Sequence, residues 1–121
     1  MANLVAFGNN GTTASTATLT LPPGAASAAV GHKSIVLDAI YVSAGTTAGI
    51  SAGTIELQAG GVGVGQPAGG VAAPATSVYQ LNHIYPGGFV FPGASDAAKT
   101  VVATGLTGAT QTRVVVVYHY E

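Results

Sequence analysis

In the stretch TASTATLTL, Ala17, Leu19 and Leu21 alternate with Thr16, Thr18 and Thr20. A backbone that sends successive side chains to opposite sides turns that spelling into a strand with one apolar face and one hydroxyl face. The same rhythm returns in SIVLDAIYV, TIELQ, SVYQL, GFVF, KTVVAT and TRVVVVYHY, and LVAF near the start adds an eighth run. In TIELQ, Ile55 and Leu57 point in while Thr54, Glu56 and Gln58 point out. No stretch repeats apolar residues at i, i+3, i+4 and i+7 over three turns, so helices are not expected. PPGAASAAVGHK is Ala-rich, but Gly24 and Gly31 bracket room for one helical turn at most. Turn residues separate the runs: NNG at 9–11, SAGTTAG at 43–49, PGG at 86–88 and LTGAT at 106–110. Many short strands with Gly-rich turns predict an all-β chain, a single antiparallel β-sandwich of about eight strands.

Residues 1–121 are enough for one domain with a core and not for two. Residues 1–12 are read as an N-terminal arm. The stretch AGGVGVGQPAGGVAAPA, residues 59–75, breaks the two-residue rhythm. It is too long for a hairpin turn and reads as a Gly/Ala/Pro-rich loop, either mobile or ordered against something else.

Charge narrows the function. Seven residues carry it: Lys33, Asp38, Glu56, Asp96, Lys99, Arg113 and Glu121. That is 6% of the chain, against about a quarter in an average domain. Three basic residues cannot track a phosphate backbone, so no nucleic-acid partner is expected. No apolar run is long enough to span a bilayer, so no membrane partner is expected. The start, MANLVAFGNNG, lacks the basic and apolar regions of a secretory signal, and synthesis in the cytoplasm follows. There is no cysteine, hence no disulfide framework. A surface so poor in charge gives little protection against self-association and suits a chain largely covered by partners.

The catalytic patterns present lack their context. Gly49-Ile50-Ser51-Ala52-Gly53 spells the nucleophile elbow, with Asp96 and His119 following in hydrolase order. The elbow needs a helix after it, and TIELQ alternates as a strand. Residues 63–68, GVGQPA, spell a dinucleotide fingerprint without a βαβ unit around it. His32, His83 and His119 stand on separate segments without metal-ligand spacing. Asn10-Gly11-Thr12 matches a glycosylation sequon and reads as a tight turn. Neither an enzyme nor a metal or other cofactor is expected. Tyr79, Tyr85 and Phe89 are the candidates for stacking on sugar rings, should the chain be a carbohydrate-binding or adhesin module.

The last strand poses a question of coverage. Val114, Val116, Tyr118 and Tyr120 share one face, and Arg113, Val115, Val117, His119 and Glu121 share the other. A strand at a surface needs only one apolar face. Either set could meet the second sheet while the other meets a neighbouring subunit or a folded-over loop.

KSIVLDAIYVSAGTTAGISAGTIELQAGG, then YPGGFVFPGA, then the closing TRVVVVYHYE resemble small β-sandwich capsid decoration, or cement, proteins of tailed bacteriophages. The resemblance covers roughly residues 33–121 and leaves out the N-terminal part. It implies a jelly-roll-like sandwich, a non-enzymatic virion protein on the outer capsid surface, the major capsid protein as partner, and a homo-oligomer with a trimer favoured. A tail, baseplate or head-fibre module is the near alternative. The residues expected at an interface are Leu4, Val5, Val114, Val115, Val116, Val117 and Tyr118.

Overall fold

The structure, a computed structural model, describes residues 5–12, 15–21, 35–91 and 99–120. It holds eight strands: β1 (Val5–Thr12), β2 (Ala17–Leu21), β3 (Ile35–Thr46), β4 (Thr54–Ala59), β5 (Val62–Gly69), β6 (Ser77–Val90), β7 (Lys99–Thr104) and β8 (Ala109–Tyr120). Among the described residues there is no helix. The first sheet runs β1-β8-β3-β6 and the second β2-β7-β4-β5.

All neighbouring strands are antiparallel. Four pairs, β1 with β8, β2 with β7, β3 with β6 and β4 with β5, are those of a chain doubled back at β4–β5. Rolling the doubled ribbon brings β3 against β8 and β4 against β7, and both contacts are present. Eight strands so arranged in two sheets are a jelly roll.

The alternation read from the sequence fills the space between the sheets. Ala17, Leu19 and Leu21 point inward from β2, Ile55 and Leu57 from β4, and Val101 and Ala103 from β7. They meet Leu37, Ile40, Val42 and Ala44 of β3 and Val114, Val116 and Tyr118 of β8. Fully burying a valine or leucine contributes roughly 1.5–3 kcal/mol, so this layer holds the two sheets together.

One end of the sandwich is sewn shut through backbone. Ile50 and Ala73 exchange hydrogen bonds of 2.9 and 3.0 Å, Ser51 N donates to the Thr107 carbonyl at 3.1 Å, and Leu106 N to the Ser15 carbonyl at 3.1 Å. The buried Thr46 hydroxyl donates to the Gly108 carbonyl at 2.7 Å and accepts from Gly49 N at 3.0 Å. Gly108 is required here: its φ of +97° lies on the left-handed side, and a Cβ would run into the Gly49 carbonyl.

Several expected turns and loops are strand instead. NNG at 9–11 lies within β1, which pairs with β8 along its whole length. As an edge strand it bonds on one side only, which makes Asn and Gly tolerable. SAGTTAG is split, since β3 continues to Thr46 and the turn follows. PGG at 86–88 is a bulge inside β6: Leu37 pairs with Phe89 and Ala39 with Ile84, leaving Tyr85–Gly88 opposite Asp38 alone. SVYQL and GFVF are thereby one strand. The stretch 59–75, expected as a loop, contains β5. Gly60 and Gly61, with φ of 59° and 81°, make the two-residue turn that a β-hairpin favours, and the Gly-rich chain returns along β4. Of the N-terminal arm, residues 5–12 are strand β1, and residues 1–4 lie outside the described residues. So does PPGAASAAVGHK.

Candidate docking face

β8 is central in the first sheet, and its two sides meet different surroundings. Val114 and Val116 are fully buried and Tyr118 nearly so, all against the second sheet. The core between the sheets takes up these three expected interface residues. Val115 and Val117 point the other way and are half-buried. Leu4 lies outside the described residues. Val5 is placed by its backbone, paired with His119.

The pairing registers build the outward face in rows. Arg113 lies beside Ser43, and Ser43 beside Gln80. The next row is Val115, Tyr41 and Asn82, and the next Val117, Ala39 and Ile84. Tyr41 is 38% exposed, Ile84 56% and Val90 53%. A shallow groove of about 150 Å³ between Tyr41, Gln80, Asn82, Arg113 and Val115 marks the polar end of the face.

At the other end the β3 bulge turns Asp38 outward. Its carboxylate meets His119 Nδ1 at 2.7 Å, with the Asp38 side chain 36% exposed and that of His119 13%. The bulge also breaks the strict alternation of SIVLDAIYV: Leu37 and, beyond it, Ile40 and Val42 face the core. Asp38 and the bulge of β6 lie opposite one another, and Gly88 has φ +84° with Val36 where its Cβ would be.

The second sheet presents a different exterior. Thr18, Val102 and Glu56 form one row, Thr20, Thr100 and Gln58 the next, and Thr104 and Thr54 a third. Gln58 Nε2 donates to Glu56 Oε1 at 2.8 Å. Lys99, on β7, is buried and contributes no surface charge.

The rings considered for sugar stacking turn inward along β6. Tyr79, Tyr85 and Phe89 pack on the core. His83, Tyr85, Phe89 and Phe91 form a chain of ring contacts at 4.4, 5.5 and 5.4 Å between centroids. Burial pushes the Tyr85 hydroxyl above the ordinary tyrosine range.

The catalytic patterns scatter. Ser51 is exposed in the β3–β4 connection, with strand β4 after it, and Asp96 lies outside the described residues. GVGQPA falls on β5. His83 and His119 stand on opposite faces of the first sheet and His32 is outside the described residues. Among the described residues no three His, Asp or Glu side chains gather where they could hold a metal ion.

The outward pairing of Asp38 with His119 and the bulges that produce it were not legible in the sequence. Asp38 in an otherwise apolar strand was the one signal. No protein family matches the chain, and no curated protein matches it. Among solved structures it is similar to the cryo-EM structure of the giant freshwater prawn Macrobrachium rosenbergii extra small virus particle (XSV VLP). The identity is 10% and the TM-score 0.43, over 98% of this chain and 78% of that chain.

Proposed function

We propose that this chain is a structural virion protein that decorates a bacteriophage capsid, binding the assembled shell of major capsid protein from outside and stabilising it. The observation that carries the reading is the outward face of the first sheet. Val115, Val117, Tyr41 and Ile84 form an apolar exterior that no described part of the chain covers. The jelly roll is a fold of viral capsid and lectin domains alike, and a fold alone does not select a function. The inward-turned rings of β6 weigh against a sugar platform. The sparse charge weighs against nucleic acid.

Stabilisation would work by mass action, since a subunit that binds only the intact lattice favours it. A homo-oligomer adds avidity, because later contacts become intramolecular. The resemblance favours three copies. The protein would be made in the host cytoplasm and end on the outer capsid surface.

Copy number tests this. A cement protein matches the lattice it reinforces, so gel densitometry of purified virions should give a fixed, near-stoichiometric ratio to the major capsid protein. A few copies per particle would move the protein to the tail or a fibre. The contacts should also survive a moderate salt wash, which screens exposed ion pairs.

A further inference from the structure

The outward face of the first sheet has two unlike ends. At one end stands Arg113. Neither it nor its neighbours Ser43, Gln80 and Asn82 makes a side-chain hydrogen bond or ion pair in the described chain. At the other end the Asp38 carboxylate, held by His119, remains a third exposed. Between them lie Val115, Val117, Tyr41 and Ala39. Outward residues of one strand are about 7 Å apart, so Arg113 and His119 stand roughly 20 Å from each other.

We infer that this face pairs with the same face of a second copy. The two-fold axis lies between the apposed first sheets of the two copies, runs across the strands and passes near Val115 and Val117. That axis turns one copy end for end. Arg113 then lies over the partner's Asp38, Asp38 lies under the partner's Arg113, and the valines and Tyr41 meet in the middle. An axis along the strands would set Arg113 against the partner's Arg113, a like-charge contact that disfavours it. Stacking head to tail would put the valines on the threonine face of the second sheet, and such a contact need not close.

The face spans four strands, roughly 19 Å, by about seven residues, roughly 24 Å. Two such faces bury on the order of 1,000 Å² together, the low end for a specific interface. Pairing is therefore expected at micromolar concentration. The inference uses the same face as the virion reading, so a paired chain would release that face or meet the shell by another surface; it does not require a capsid, and it departs from the trimer that the resemblance favours.

The chain's lack of cysteine allows a direct test. The parent should sediment as a dimer at tens of micromolar. Val115→Cys, near the axis, should oxidise to a disulfide-linked dimer, whereas Val102→Cys on the second sheet should stay largely unlinked. Arg113→Glu and Asp38→Lys should each weaken pairing by roughly tenfold, and a one-to-one mixture should restore it, because both ion pairs re-form in the mixed dimer. A monomeric or trimeric parent, equal cross-linking at the two cysteines, or a mixture no tighter than its components would overturn the inference. Dimers that do not bind capsids would leave the pairing standing and remove the virion reading. A monomer that coats capsids would do the reverse.

Discussion

The two exteriors of this sandwich rest on similar backbones and carry different side chains. Outside the second sheet stand Thr18, Thr20, Thr54, Thr100 and Thr104, with Glu56 and Gln58 bonded to each other. Outside the first stand Val115, Val117, Tyr41 and Ile84. Threonine is β-branched and favours strands while offering water a hydroxyl. The second sheet thus shows that this chain can make strands with threonine at most outward positions of β2, β4 and β7, Val102 being the exception. Outward valines are therefore not required to form a strand such as β8, and the proposed docking gives Val115 and Val117 a use.

The sharpest probe of that difference lies within one strand. Val116→Asp would bury an unpaired charge between the sheets, which costs several kcal/mol. We expect loss of cooperative unfolding or insoluble expression, and a urea midpoint near the parent's would show the core to be misassigned. Next in size is Gly88→Ala. A methyl group there meets Val36 and sits at positive φ, so a loss of about 1–3 kcal/mol is expected. Because that strain falls on the docking face, association should weaken as well, and a thermal melt beside a sedimentation run separates the two effects.

Val115→Asp should be milder for the fold. It adds a charge to a face open to water, so stability should change by no more than about 1 kcal/mol while association is lost. Unchanged self-association would mean that the valine face stays bare. Smallest is Thr100→Ser on the second sheet. It removes one half-exposed methyl, and both stability and association should stay within about 0.5 kcal/mol of the parent. A clear loss of association would mean that the hydroxyl face docks as well.

The sequence reading and the structure agree where one face of a strand is buried. TASTATLTL and TIELQ announce both their strand and their inward side, because a slip of one residue would send Leu19 or Ile55 into water. They part where glycine is ambiguous. Gly60-Gly61 and Gly87-Gly88 are the same dipeptide, yet the first turns the chain between β4 and β5 and the second swells a strand that continues. Which occurs depends on the neighbour: β4 lies alongside the returning chain, and β3 receives both halves of β6. The count of eight strands was reached with one strand read as two and β5 read as loop. The docking face was half legible. The terminal valines raised the question, but only the register of β8 between β1 and β3 decides which of them face out. Arg113 and Asp38 come to share that face through strands far apart in sequence, beyond the reach of any local pattern.

The pairing of first strand with last also sets an order in time. β1 closes against β8, about a hundred residues later, whereas β4 and β5 meet across two glycines. At the ribosome, where roughly 5–20 residues are added per second, β1 waits several seconds for its partner while the inner hairpin already has its own. Closing so large a loop is slow, and unpaired edges invite other chains meanwhile. Assembly from the β4–β5 hairpin outward would leave β1 for last, and the pace of maturation would then rest on when β8 is made.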